Sequence, residues 1–335
     1  MSFIHSNIKF TFLTAAALLL GACGTNEQEA SSHVTSNDSD LPYIGIMQLA
    51  SHPALDAITE GIIDQLAEEG YVDGKTATID LQNAQGDQSN MQQIAERFIS
   101  NDADITVGIA TPAAQALANA TKDIPIILGA ITDPLAANLV ASLDAPGGNV
   151  TGVSDKIPVA EQFDLIMELV PELKTIGFLY SSSEDNSLSS AKEAEAIAAS
   201  LGLKVVTKTV NSANDIPQVA ESLAQEVDAI WVPTDNLIAT STLSLIEATD
   251  AYQIPVFPSV DTMVEEGGLA TVGLNQYTIG VQTGSVTADI LEGADPSTYA
   301  IQYPEKTELI INKNKAEKLN IIIPENVLES ARIIE

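Results

Sequence analysis

Two stretches of this 335-residue chain repeat one another with matched spacing. Ile44-Gly45-Ile46 opens the first and Glu69-Gly70-Tyr71-Val72 follows; Ile176-Gly177-Phe178 opens the second and Leu201-Gly202-Leu203-Lys204 follows, with Gly45 to Gly70 as long as Gly177 to Gly202. The later halves also correspond. Asp104-Ile105-Thr106-Val107 leads through Ala110-Thr111-Pro112 to Ile124-Pro125-Ile126, and Asp228-Ala229-Ile230-Trp231 leads through Pro233-Thr234-Asp235-Asn236 to Ile254-Pro255-Val256. Such a repeat predicts two copies of one strand–helix–strand–helix–strand lobe, with a boundary near Gly147 to Ser154.

The hydrophobic pattern agrees. Short β-branched runs at 43–49, 76–82, 105–109, 125–128, 175–180, 204–210, 229–232 and 269–273 alternate with amphipathic stretches at 54–69, 89–100, 112–120, 187–200, 216–225, 238–252 and 279–291. Nearly continuous apolar strands between helices indicate a parallel sheet covered on both faces. The expected fold is therefore α/β, with two Rossmann-like doubly wound lobes and a cleft between them. Ligands of such sheets bind beyond the carboxyl ends of the strands, so two facing lobes would hold one ligand between two sets of loops.

Charge and composition exclude several function classes. With 46 acidic residues against 14 basic ones the net charge is −32, which opposes nucleic-acid binding, where Lys and Arg must neutralise phosphates. Cys23 is the single cysteine and His5, His33 and His52 are the three histidines, so neither a disulfide nor a cysteine-rich metal site is expected. No cofactor or metal is expected. Gly70-Tyr71-Val72-Asp73-Gly74-Lys75-Thr76 is one residue short of a phosphate-binding loop and precedes a strand, which makes it a helix-terminating turn. The Pro146-Gly147-Gly148-Asn149 run reads as an interlobe crossover.

The N-terminus reads as an export signal over residues 1–22. Lys9 closes a weakly basic start, Phe10 to Leu20 are apolar, and Leu20-Gly21-Ala22-Cys23 resembles a bacterial lipobox, which makes Cys23 the expected lipidation site. Residues 23–40 are polar and predict a flexible tether.

Candidate ligand-binding residues lie in the strand-end loops: Gln48 and His52, Thr111, Thr132 and Asp133, Asp155, Asn186 and Ser187, Asp235 and Asn236. Each of these loops is also a plausible helix N-cap. Together they suit a zwitterion, because helix N-termini hold a carboxylate while a side-chain carboxylate answers an ammonium. Asp133, Asp155 and Asp235 are all amine-anchor candidates. A sugar is disfavoured by the scarcity of aromatics, and Trp231, the only Trp, falls within a strand as a core residue.

Motifs from Tyr43 to Ala331 carry a resemblance. His52-Pro53-Ala54-Leu55-Asp56, Ala84-Gln85-Gly86-Asp87, Ala110-Thr111-Pro112-Ala113-Ala114-Gln115, Thr132-Asp133-Pro134, Asn149-Val150-Thr151-Gly152-Val153-Ser154-Asp155, Pro233-Thr234-Asp235-Asn236 and Ile323-Pro324 are similar to those of the solute-binding lipoproteins of bacterial ABC importers, in the type I periplasmic-binding-protein superfamily, most of all the tryptophan branch. The resemblance implies a first lobe of residues 41–153 and 274–299 and a second of 154–273 and 300–335, joined by three crossings. It implies capture of an aromatic amino acid by hinge closure and delivery to a permease with its ATPase, by a monomer lipid-anchored at the outer face of the cell membrane. Within it, Thr111, Asn186 and Ser187 would hold the ligand carboxylate, Asp155 or Asp235 the ammonium, and His52, Gln48 and Thr132 the side chain. A sensory binding protein has the same clamshell. An exported α/β enzyme is the third reading, with no Gly-x-Ser-x-Gly elbow or metal cluster to support it.

Overall fold

A computed structural model describes residues 41–335; the export signal, Cys23 and the tether lie outside the described residues. The first repeat forms β1 (Tyr43–Gln48), α1 (Pro53–Glu68), β2 (Thr78–Asn83), α2 (Gln88–Ser100), β3 (Ile105–Ile109), α3 (Thr111–Ala120), β4 (Ile126–Gly129) and β5 (Val150–Gly152). All five strands are parallel, in the order β2-β1-β3-β4-β5.

The second half contributes α4 (Val159–Leu169), β6 (Thr175–Ser181), α5 (Asp185–Ser200), β7 (Lys204–Val210), α6 (Ile216–Ala224), β8 (Ala229–Val232), α7 (Asn236–Ala239), α8 (Thr242–Asp250) and β9 (Val256–Pro258). Its sheet, β7-β6-β8-β9, repeats the order of the first and is again parallel. Next come α9 (Asp261–Glu265), β10 (Ala270–Gly273), α10 (Gln276–Leu291), β11 (Glu308–Asn312), α11 (Lys313–Lys318), α12 (Glu325–Ser330) and β12 (Arg332–Ile334). The strands β10, β11 and β12 form a small mixed sheet, tied to β9 by a backbone bond from Leu269 to Val256.

The repeated glycines have the same two jobs in each half. A Cβ at Gly45 in β1 would lie 2.7 Å from the Phe98 ring of α2, and one at Gly177 in β6 would lie 2.9 Å from Leu223 of α6. Each glycine thus lets a large apolar side chain from a covering helix seat directly on its sheet. Gly70 and Gly202 follow α1 and α5 with φ of +93° and +73°, the left-handed conformation that ends a helix at little cost only for glycine.

One hydrophobic core surrounds the β1–β5 sheet and includes Leu274, Ile279, Val286, Ile290 and Ile301, so α10 returns to the first sheet. There it packs on α1 with backbones nearly touching: Gly61 faces Tyr277 O, and Gly280 faces Ile58 O. Two further clusters flank the second sheet, one built on Phe163, Phe178 and Trp231, the other on Leu223, Ile230 and Ile238. Trp231 is fully buried, and its indole N–H donates to Gln162 Oε1 at 3.0 Å.

Several expected boundaries change. The Pro146–Asn149 run is not a crossover: Val150–Gly152 beyond it pairs with β4, extending the first sheet, and the chain leaves that sheet only after Val153. The single helix expected over 238–252 is two, because Ser241 adopts a non-helical conformation between α7 and α8. The strand expected at 76–82 is shifted to Thr78–Asn83 because Val72 to Ala77 close a turn held by Thr76.

Candidate functional site

The carboxyl ends of both main sheets face one another around a cavity of about 20 Å³. His52 enters from the loop after β1, Ala110 and Thr111 from the end of β3, Ala130 and Thr132 from the end of β4, and Asp155 from the first crossing. Opposite lie Asn186 at the start of α5, Thr234 to Asn236 after β8, and Val260 after β9. This is where the strand order reverses in each lobe, the position at which open α/β sheets bind ligands.

Polar atoms without a protein partner concentrate here. His52 Nδ1, Thr111 Oγ1, Asp155 Oδ1, Asn186 Oδ1 and Thr234 Oγ1 are buried, make no hydrogen bond, and belong to residues lining this one cavity. An unpaired buried polar group costs about 1–3 kcal/mol, so a cluster of them marks a site built for something other than the fold. The helices α1, α3 and α5 all begin here without a side-chain cap, which leaves main-chain N–H groups at their N-termini for an anion. Backbone strain gathers here as well: Ala110 and Ala130 carry φ of +74° and +61°, rare for alanine and typical of binding sites.

The three aspartates part company. Asp155 is 5% exposed with Oδ1 free, and burial pushes its carboxyl up to about 6, opposed by the Thr132 hydroxyl. Asp235 lines the same cavity, but its oxygens are taken. Oδ1 accepts the Ile238 N–H at 2.8 Å, capping α7, and Oδ2 accepts the Ser181 N–H at 2.6 Å and the Ser187 hydroxyl at 2.7 Å. Burial and the neighbouring Glu184 carboxylate push Asp235 upward, while those donors hold it down. Asp133 lies outside the cavity lining, capping the turn at Ala136 and accepting from Ser189 of the other lobe.

Gln48 also falls outside the lining. Its Oε1 accepts from Thr59, and its Nε2 donates to Ala50 O and Asp56, so it fixes the β1–α1 loop. Ser187 is buried and donates to Thr234 O and Asp235, holding two loops together. His52, Thr111, Thr132, Asp155, Asn186, Asp235 and Asn236 do come together. Sequence reasoning missed Glu184, whose carboxylate accepts from the Asn236 and Leu237 N–H groups and from the side-chain amides of Asn186 and Asn236. It also missed Gln276, the start of α10, for which only the preceding Asn275 cap gave a signal.

Among the described residues, side chains bond across the cleft at His52 Nε2 with Asn236 Oδ1 at 3.3 Å, Gln115 to Asp185 at 2.8 Å, and Ser189 to Asp133 at 2.7 Å. Among the described residues no group of three or more His, Cys, Asp or Glu side chains is placed to hold a metal ion.

Residues 43–334 match the family model of the ABC transporter substrate binding protein. The chain belongs to that family. Among curated relatives of this substrate-binding protein is a tyrosine-binding protein of Clostridioides difficile, 37% identical and aligned over 90% of this chain and 88% of the relative. Among solved structures, an ABC domain in complex with L-Trp from Streptococcus pneumonia is 47% identical, covers 88% of this chain and 100% of its own, and superposes with a TM-score of 0.86. A ligand-free, open substrate binding protein with adhesive properties from Clostridium difficile is 38% identical, covers 88% and 99%, and superposes at 0.69. The type I periplasmic-binding-protein fold is thereby shown for this substrate-binding component of an ABC transporter.

Proposed function

We propose that this protein captures the zwitterion of an aromatic amino acid between its two lobes. The carrying observation is Asp155 Oδ1: a buried acceptor on a carboxyl group, unpaired within the protein, on a residue that lines the cavity. It suits an ammonium. Thr111 with the uncapped start of α3, and the uncapped start of α5, suit the carboxylate, whereas the sequence expectation that Asn186 does so is corrected: its N–H groups are spent on Glu184 and Thr234, and its free Oδ1 is an acceptor that suits the ammonium. Leu55, Ile58, Ala239 and Val260 provide an apolar wall for a side chain. The L-Trp complex and the tyrosine-binding relative support this ligand class.

At about 20 Å³ the cavity accommodates a group the size of one water, so a ligand must enter with the lobes apart. Hinge closure follows, because contacts from both lobes favour the closed form by their difference in binding free energy. The cross-cleft bonds and the better superposition on the L-Trp complex than on the open structure support that motion. The lobes would comprise 41–153 with 274–299 and 154–273 with 300–335, the closed form passing its ligand to a permease and ATPase. Lipidation at Cys23 would tether the protein to the outer face of the membrane.

Calorimetric titration with the twenty amino acids, at low and high salt, tests the ligand reading: single-site binding confined to aromatic members supports it, and no heat with any of them overturns it. Membrane partitioning of wild type and Cys23→Ala tests the anchor, which is refuted if the variant stays membrane-bound.

A further inference from the structure

The protonation pattern at the cleft follows from a chain of hydrogen bonds that begins at Glu184. Its carboxylate accepts the Asn236 side-chain N–H at 2.6 Å, and it accepts the Asn236 and Leu237 main-chain N–H groups too. A carboxylate in that role takes only donors, so the Asn236 amide must present its NH₂ to Glu184 and its Oδ1 to the other side. Oδ1 meets His52 Nε2 at 3.3 Å. An amide oxygen cannot donate, so Nε2 carries the imidazole proton.

Burial disfavours the charged imidazolium and lowers the His52 pKa, leaving a neutral ring with one proton. Nδ1 is therefore a bare acceptor. It is fully enclosed, has no protein partner, and belongs to a residue 94% buried, 6% of its surface remaining exposed. No other histidine tautomer satisfies both Glu184 and Asn236.

The position of the ring says which part of a ligand it faces. His52 precedes α1, and Leu55, three residues on, and then Ile58 line the same cavity from that helix. Across from them stand Asn236 and Ala239 of α7. His52 thus stands on the side of the cavity that α1 lines with Leu55 and Ile58, whereas the uncapped start of α3 follows β3 and Asp155 follows β5.

We infer that His52 Nδ1 selects ligands whose aromatic ring bears a hydrogen-bond donor, an indole N–H or a phenol O–H, over ligands with a bare ring. This rests on the amino-acid reading above and sharpens it: tryptophan and tyrosine belong to the substrate class and phenylalanine does not. A bare ring would enclose Nδ1 without a partner, which is the situation in which polar sites reject analogues most strongly.

The test is a ligand-by-protein cycle by calorimetry, with L-tryptophan, L-tyrosine and L-phenylalanine against wild type and His52→Phe. Wild type is expected to bind tryptophan and tyrosine each at least about tenfold more tightly than phenylalanine. In His52→Phe the tyrosine-to-phenylalanine ratio should fall to within about threefold of unity, however much the lost bond to Asn236 weakens every ligand alike. Equal wild-type affinity for tyrosine and phenylalanine overturns the inference without needing the variant. A ratio unchanged in His52→Phe overturns it too, assigning Nδ1 to the ammonium common to all three. Wild type that binds none of them defeats the amino-acid reading itself, a different outcome.

Discussion

Ser189 on α5 donates its hydroxyl proton to Asp133, which follows β4 in the opposite lobe, at 2.7 Å. In the proposed hinge motion this bond is made only while the lobes are together, so its free energy would enter the open–closed equilibrium directly. Ser189→Ala removes a partly buried hydrogen bond, about 0.5–1.5 kcal/mol, without touching the cavity. The apparent Kd should rise about two- to tenfold with little change in thermal stability of the ligand-free protein. Unchanged affinity in a calorimetric titration would mean that Asp133 and Ser189 do not contribute to closure.

The packing of α1 on α10 sets where His52 stands. A Cβ at Gly280 would collide with Ile58 O, which is backbone and cannot swing away. Gly280→Ala should therefore push the two helices apart and cost about 1–3 kcal/mol, read as a lower midpoint in chemical denaturation. A substitution as mild as one at a solvent-exposed helix glycine would show that these helices do not pack this closely.

Acidity should loosen the ligand. Burial raises Asp155 to about 6 in the free protein, while an ammonium beside it favours the ionised form. Binding must then expel a proton wherever Asp155 is protonated. Affinity is expected to be level from pH 8 to 7 and to fall up to about tenfold per unit below pH 6. Burial lowers the His52 pKa, and Asp235, though burial and Glu184 push it up to about 7, has its oxygens occupied by Ile238, Ser181 and Ser187. The same Kd at pH 7.5 and pH 5 would argue against a protonatable anchor.

The repeat was legible because its glycines are forced: Phe98 and Leu223 leave no room for a side chain at Gly45 and Gly177. Strand-end loops could be located for the same reason, since the strand order follows from the repeat. What the sequence did not distinguish was Asp155 from Asp235, both aspartates just beyond strands. The difference lies in which N–H groups converge on them, and those come from Ser181 and Ile238 on separate elements. Gln48 misled for a similar reason, as its partners Thr59 and Asp56 fold back from α1. The strained turns at Ala110 and Ala130 carry no sequence signal, because alanine is not a residue that favours positive φ. Strands as short as β5 and β12 are set by pairing with neighbours more than by their own pattern.

Asp155 and Asp235 give the most direct test of the central claim. Titrating wild type, Asp155→Asn and Asp235→Asn with L-tryptophan and L-tyrosine compares a carboxylate facing the cavity with one consumed by the fold. The account predicts that Asp155→Asn loses about 2–5 kcal/mol of binding, some thirtyfold or more in Kd, while its melting temperature holds or rises as a buried charge is removed. Asp235→Asn should show the reverse emphasis, with the cap of α7 weakened and the melting temperature lowered. Wild-type affinity in Asp155→Asn would contradict the account, whatever the other variant does.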